Sequence, residues 1–455
     1  MAYTIKQADD YIMRAKASVS NAYKPRYHMT PPVGWINDPN GLTVFNGEYH
    51  LFYQYHPYDT LPGVMHWGHF VSRDLISYRD AGVALCPTES DETSCFSGGA
   101  IDDGGTLDIV YTRHYEASDR KTEQVTLVKS ADAKRFDKRF VHVFDNETLP
   151  KNLSRTDFRD PYPVRMGDSF YVFVGGKDVT TDKGVIVVLK GSSLDRLEYD
   201  FTIGSIHAFG DMAECPCYCR VGDKDVIIAS GSNVAERDGC FKNTHASVFI
   251  VGKMDFAGKS FRIDFVKEID KGDTFYAPQF INGAKQPTFV AWHEMWNKPY
   301  PTRERNYGWV GGFTIPREIA IEDGDIVQRP VAALEKYMTA LGDAGEIPSC
   351  ACIDATLDVG ASLAIRGDNG QIIVGNDGGV YLDTADANNL NGCVRRAPSA
   401  KKARVRILID VSTVEVFVDG GKEVISSRFY IDGKLALLKR GASDVTVFGI
   451  GGFDE

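Results

Sequence analysis

The 455-residue chain has no stretch approaching the ~18 consecutive apolar residues of a membrane-spanning helix. Its first two dozen residues also lack the continuous apolar core of a secretory signal. Asp9, Asp10, Arg14 and Lys16 are spread among apolar neighbours there, a pattern that suits a short amphipathic helix within residues 1–24. Basic residues are not in excess: the formal net charge is −11, which argues against a phosphate-backbone partner, so neither nucleic acid nor membrane is expected. Metal-ligand spacing is missing as well. Cys215, Cys217 and Cys219 alternate, as do Cys350 and Cys352, so in a strand each set shares one face without the pairwise clamp of Cys-x-x-Cys. They read as buried thiols, and neither a metal nor a cofactor is expected. Nine cysteines, an odd number, without an export signal fit a reducing cytosol. A cytoplasmic location follows as the expectation, and the sequons at Asn146-Glu147-Thr148 and Asn152-Leu153-Ser154 would then be idle.

What is present is a repeat. A start signal, a short turn and an aromatic-rich apolar run recur along the first two thirds of the chain. The first copy runs from Asp38 through Leu42-Thr43-Val44-Phe45 and the turn Asn46-Gly47 to residues 49–53. The second goes from Phe96-Ser97-Gly98 over Asp103-Gly104-Gly105 to residues 107–111, and the third from Asp160 over Gly167-Asp168 to residues 170–174. Glu214 opens the fourth, which turns at Gly222-Asp223 before residues 226–229; Tyr276-Ala277-Pro278 opens the fifth, which turns at Asn282-Gly283 before residues 289–292. A second strand-like segment follows each copy, at 67–71, 125–128, 185–188, 247–250 and 309–313. Asn-Gly and Gly-Asp between apolar runs signal hairpins, because the primed turns need positive φ. The period of about sixty residues is longer than the ~40–50 of common propeller repeats, with the same four strands per unit. Five such units imply an all-β fold led by a five-bladed β-propeller; a two-sheet sandwich built from the same hairpins is the alternative, and the regular spacing favours the ring.

At 455 residues the chain exceeds the usual size of one core and should divide. A boundary falls after Gln328-Arg329-Pro330. Ala and Leu recur at helical spacing from Val331 to Leu341, bracketed by Pro330 and Gly342, which predicts a short linking helix. Alternating apolar patterns return at 405–410, 414–418 and 445–448 with Gly-rich turns between them, predicting a C-terminal β-sandwich. The expected division is a helical segment at 1–24, the propeller at 25–329, a linker helix at 330–345 and the sandwich at 346–455.

If the repeats close into a ring, the acidic residues at equivalent repeat positions, Asp38, Asp160 and Glu214, converge on one axis, joined by Ser97 and Tyr276. Taken singly, Asp-Pro and Asn-Gly are ordinary turn formers. Three carboxyls at matching positions suit glycoside cleavage, which uses one ionised carboxylate and one protonated carboxyl, about 5–5.5 Å apart when configuration is retained. Asp38 is expected to stay ionised through amide donors on Asn37 and Asn40 and to act as nucleophile. Glu214, before Cys215-Pro216 and an apolar strand, is expected to be raised by desolvation and to act as the acid. Asp160 beside Arg159 is expected to stay charged and to stabilise an oxocarbenium-like state.

The ordered motifs Trp35-Ile36-Asn37-Asp38-Pro39-Asn40-Gly41, Phe96-Ser97-Gly98, Arg159-Asp160-Pro161, Glu214-Cys215-Pro216 and Tyr276-Ala277-Pro278-Gln279 resemble those of glycoside hydrolase family 32, the invertases and β-fructosidases. Pro316-Arg317-Glu318 and residues 414–418 match further family patterns, so the resemblance covers nearly the whole chain. It implies a retaining β-fructofuranosidase acting on sucrose, sucrose 6-phosphate or short fructo-oligosaccharides, with Asp38 as nucleophile, Glu214 as acid/base and Asp160 as transition-state stabiliser. It further implies a fructose site lined by Asn37, Gln54, Trp67, Phe96, Ser97, Arg159, Tyr276 and Trp292. Fructosyl transfer by the same intermediate and a non-catalytic fructan-binding homologue are the alternatives. The partner is a small sugar, and the chain is expected as a monomer or homodimer. One stretch departs from the commoner pattern: Trp292-His293-Glu294-Met295-Trp296 carries an ionisable pair that either faces the leaving group or pairs at a strand end. Arg303 and Arg305 in the following loop either meet a substrate phosphate or are solvated.

Overall fold

A computed structural model describes residues 3–88, 92–118, 120–342 and 344–453. The first helix, Ile5–Ala15, is opened by a capping box in which Thr4 and Gln7 exchange side-chain and backbone bonds, and it buries Ala8 and Ile12, four residues apart on one face. Four-stranded antiparallel blades then follow, each built with its first strand innermost. Those inner strands are Gly34–Phe45, Ser94–Asp102, Leu153–Met166, Met212–Val221 and Tyr276–Phe280. The turn at Asn46-Gly47 has φ of 50° and 78°, as a type I′ hairpin demands.

Blade strands are apolar on both faces because each blade is sandwiched by its neighbours. In Ser169–Asp178, Phe170, Val172 and Val174 pack with Val110, Val125 and Leu127 of the second blade, while Tyr171 and Phe173 pack with Tyr218 and Ile227 of the fourth. The ring closes by a strand from its far end joining the first blade. Residues 309–310, expected as the later strand of the fifth copy, instead pair in parallel with Gly34 and Trp35, and Arg317–Glu322 takes the third place in the fifth blade. A proline-free apolar run satisfies either partner, and the loop before it, held by Tyr300 packed on Trp35, delivers it to the first blade. Beneath the axis, Gln279 accepts from Leu42 N–H and donates to the Gly98 carbonyl, while Asn282 donates to the carbonyls of Ala100 and Pro163. These amides tie the fifth blade to the first three and plug the centre.

The predicted linker helix is corrected. A 3-10 turn, Ala332–Tyr337, passes into the strand Met338–Gly342, which pairs with Leu435–Ile450. So short a segment gains little from helix formation alone, whereas an adjacent sheet edge satisfies its backbone. In the C-terminal β-sandwich, the long strand Cys350–Gly367 pairs first with Lys402–Asp410, then with Gly370–Asn376, and along most of its length with Leu435–Ile450. Its core gathers Ile353, Leu357, Leu363, Val405, Ile407 and Val416.

A buried polar chain locks the two domains. Asp410 accepts the backbone N–H groups of Arg26, Tyr27 and His28 at 2.8–2.9 Å. His28 bridges Asp410 and Glu415, each at 2.8 Å, and Arg317 spans Glu415 at 2.5 Å and Asp270 at 2.9 Å. Burial alone would raise Glu415, but Arg317 and His28 pull it from 4.5 to about 2. Its ionisation therefore adds stability that is complete above pH 4.5 and drains as pH falls toward 2. Burial alone would lower His28, but its two carboxylate bonds raise it above 6.5, so its contribution is complete below pH 6.5 and is lost as pH rises through the raised value. Glu415→Gln is expected to cost about 3–5 kcal/mol in urea denaturation at neutral pH. That deficit should shrink as the comparison is carried from pH 4.5 toward 2; a deficit independent of pH would contradict the charge-based lock.

Candidate active site

All five inner strands carry a bulge at the same level. Register slips between Ile36 and Pro39, Phe96 and Gly98, Arg159 and Tyr162, Glu214 and Cys217, and Tyr276 and Gln279. A bulge bends its strand and re-aims the side chains beside it, here toward the axis. Asp160, Cys215 and Ala277 take left-handed φ of 63°, 48° and 50°, strain on the order of 1–3 kcal/mol each that the surrounding ring must offset. Prolines follow all three, in bulged positions where the missing N–H removes no ladder bond.

The bulges open one cavity of about 330 Å³, lined by Asn37, Asp38, Gln54, Phe96, Ser97, Arg159, Asp160 and Glu214, with Pro62, Gly63, Met65 and Trp296. Asp38, Asp160 and Glu214, separated by up to 176 positions in sequence, thus share a single chamber. A second chamber of about 290 Å³ shares Asp38, Arg159, Glu214 and Trp296 with it and adds Ser232, His245, Tyr276 and Asn297. Larger still is a 650 Å³ cleft between propeller and sandwich, but none of the three carboxylates lines it.

Asp38 accepts from Ser97 Oγ at 2.7 Å, Asn37 Nδ2 at 3.2 Å and Cys215 Sγ at 3.5 Å. Trp35 Nε1 donates to Asn37 Oδ1 at 2.8 Å and so turns the amide nitrogen to Asp38. Asn40 is not a donor to Asp38 as expected: its amide, oriented to suit its neighbours, meets Ser97, Trp67 and Gln54. Burial, and then the Glu214 charge, raise the Asp38 carboxyl above the usual aspartate range despite these donors. Glu214 is gripped differently. Arg159 Nη2 donates to Oε1 at 2.6 Å, and the Tyr276 hydroxyl donates to Oε2.

The expectation for Asp160 is overturned. Its sequence neighbour Arg159 points to Glu214 and, at 3.3 Å, to Glu123. Asp160 is buried among carboxylates, and burial with the Glu214 and Asp38 charges outweighs Arg159 and the 2.9 Å bond from Cys215 N–H, pushing it up to about 8. Asp160 therefore carries a proton near neutral pH in the free protein, coupled to the charges around it. Glu123 goes the other way. Burial opposes its charge, but Arg159, His114 and Lys121 bring it to about 2.

Two expected site residues stand behind the wall. Trp67 is buried with Phe52 and Tyr111 and donates to the Phe96 carbonyl at 3.1 Å; Trp292 is buried against Trp35 and Trp296. Both support lining residues instead of forming the lining. His293 and Glu294 do not face the cavity: His293 bonds Thr274 at 3.0 Å and Glu294 pairs with Lys298 at 3.0 Å. Arg303 meets Asp59 at 3.4 Å, and Arg305 donates to the Asn388 carbonyl at 3.2 Å over the rings of Tyr23 and Tyr430. Sequence reasoning missed Glu123, Met65, Ser232, His245, Trp296 and Asn297. Glu123 alone had a signal, a charge on the same strand parity as Val125 and Leu127.

A nucleophile candidate held by neutral donors, an acid candidate held by Arg159 and Tyr276, and a third carboxyl on the floor together suit glycosidic bond cleavage. Residues 28–330 match the Glycosyl hydrolases family 32 N-terminal domain and residues 363–451 the Glycosyl hydrolases family 32 C terminal domain. The chain is similar to the Escherichia coli sucrose-6-phosphate hydrolase, at 32% identity over 90% of each chain. It is also similar to the Escherichia coli raffinose invertase, at 31% identity over 94% of each. Its fold superposes on the Bombyx mori GH32 beta-fructofuranosidase BmSUC1 with a TM-score of 0.86 at 29% identity, covering 98% of this chain and 97% of that one. The chain belongs to glycosyl hydrolase family 32 and is a glycoside hydrolase of the β-fructofuranosidase type.

Proposed function

We propose that the chain hydrolyses terminal β-D-fructofuranosides, of the class that includes sucrose, sucrose 6-phosphate and short fructo-oligosaccharides, with retention of configuration through a fructosyl ester on Asp38. The observation that carries this reading is the unlike treatment of two carboxyls open to one cavity. Asp38 faces only neutral donors, one on Oδ1 and two on Oδ2, and a lone pair on Oδ1 is free for attack on the anomeric carbon. Glu214 sits between a guanidinium and a phenol that hold its orientation, on the side toward the second chamber. In the first step Asp38 attacks as Glu214 delivers a proton to the glycosidic oxygen. In the second, Glu214 takes a proton from water as water displaces the ester. Fructose hydroxyls donating to Asp160 favour its ionised form and release its proton within the cluster. Asp160 then faces the developing positive charge. The names of the two bacterial relatives, one for sucrose 6-phosphate hydrolysis and one for raffinose inversion, support the substrate class.

Asp38→Ala should abolish fructose release from sucrose with an unchanged circular dichroism spectrum, and Glu214→Gln should lower kcat about 10²–10⁴-fold. Turnover by a folded Asp38→Ala protein at the wild-type rate would remove Asp38 from its role. Proton NMR at early times should find β-fructofuranose as the first product, and the α-anomer appearing first would exclude retention.

The kcat/KM profile should be bell-shaped. Asp38 loses its charge as pH falls through a value above 3.8, so the acid limb lies above that figure. The proton that Asp160 carries in the free protein is lost as pH rises through about 8, so the alkaline limb lies near it. A rate still level well beyond pH 8 would show that no proton of this cluster is used.

A further inference from the structure

We infer, on the fructofuranosidase reading above, that the second chamber takes a neutral hexose as leaving group and turns away a phosphorylated one, with Ser232, His245 and Asn297 as its polar contacts. The two chambers are alike in size, about 330 and 290 Å³, as the two rings of a disaccharide require. They part at Glu214. The first holds the donors of Asp38 and the floor carboxyl Asp160, whereas the second lies on the side of Tyr276, where the departing oxygen must receive its proton. Trp296 belongs to both and offers an indole for the apolar face of a sugar.

Charge decides what kind of ring fits. Among the described lining residues Arg159 is the one permanent cation, and it is engaged by Glu214 at 2.6 Å and Glu123 at 3.3 Å. Asp38, Asp160 and Glu214, with one proton and the Arg159 guanidinium, leave the lining at a net charge of about −1, and Glu123 behind it is offset by Lys121 at 3.3 Å. Burial lowers His245 below 6.5, against the Glu214 charge, so it offers a neutral imidazole at pH 7. Nearby cations are committed elsewhere: Lys298 to Glu294 and Arg303 to Asp59. A phosphate carrying about −1.5 to −2 charges at pH 7 would enter without a partner and against like charge.

Sucrose and sucrose 6-phosphate compared at pH 7 test this. Sucrose should be favoured in kcat/KM by at least about tenfold. The ratio should narrow between ~0.01 M and ~1 M salt, as the screening length falls from ~30 to ~3 Å. Sucrose 6-phosphate cleaved as well as sucrose at low salt, or a ratio indifferent to salt, would overturn the inference while leaving the fructofuranosidase intact; fructose released from neither would sink the underlying activity instead. His245→Arg should move the ratio toward the phosphorylated sugar by about tenfold, and a folded variant with the wild-type ratio would place the leaving group elsewhere. Should that variant not fold, the wild-type ratio and its salt dependence decide alone.

Discussion

Carboxyl groups cannot be gathered on a buried axis without a counter-charge, and in this molecule the guanidinium of Arg159 supplies it. Its planar fork reaches Glu214 with one edge and Glu123 with the other, a two-sided engagement that an ammonium point charge does not reproduce. Glu123 remains anionic far below neutrality, so the guanidinium is anchored from the second blade while it orients a carboxylate of the fourth. Removing such a cation would leave buried charge uncompensated, at a cost of about 3–5 kcal/mol, and would also release the orientation of Glu214. Stability and geometry of the site thus pass through the same group.

Rigid support for that group comes from the ring. Five bulges at one level turn five inner strands toward the axis, and side-chain amides below them fix the strands to one another. Strain in the left-handed residues persists because the blades on either side leave those residues no alternative packing. The Cys215 thiol, raised by burial and by three surrounding carboxyls, stays protonated and adds a donor between Asp38 and Asp160. A residue that reads as inert core in the sequence is therefore part of the carboxylate cluster.

The fold and the three carboxylates were legible because a propeller repeats its unit, so motif position reports spatial position. What failed was inference from adjacency. Arg159 and Asp160 are neighbours in sequence, but a bulged strand sends consecutive side chains to different surroundings, so the cation serves Glu214 and Glu123 while Asp160 gathers a proton. His293 and Glu294, just past the end of strand Thr288–Trp292, turn from the cavity toward Thr274 and Lys298. Trp67 and Trp292 carry the family pattern yet stand one layer back, since an indole so large fills the wall more readily than the void. The run at 309–310 and the segment after Val331 were misplaced because their partners are set by distant strands, which no local pattern encodes.

The way the ring closes also has a temporal side. Leu42 and Val44 of the first blade find their backbone partners near Asn282 and Gln279, Gly34 finds its own at Gly308 and Trp309, and the amides of 26–28 wait for Asp410. On a ribosome that emits the chain from its amino end, the strand bearing Asp38 spends most of synthesis with an unsatisfied edge. Chemistry becomes possible only when the last blade arrives, and a nascent protein arrested before that point would be an open sheet awaiting a partner, without an enzyme's centre.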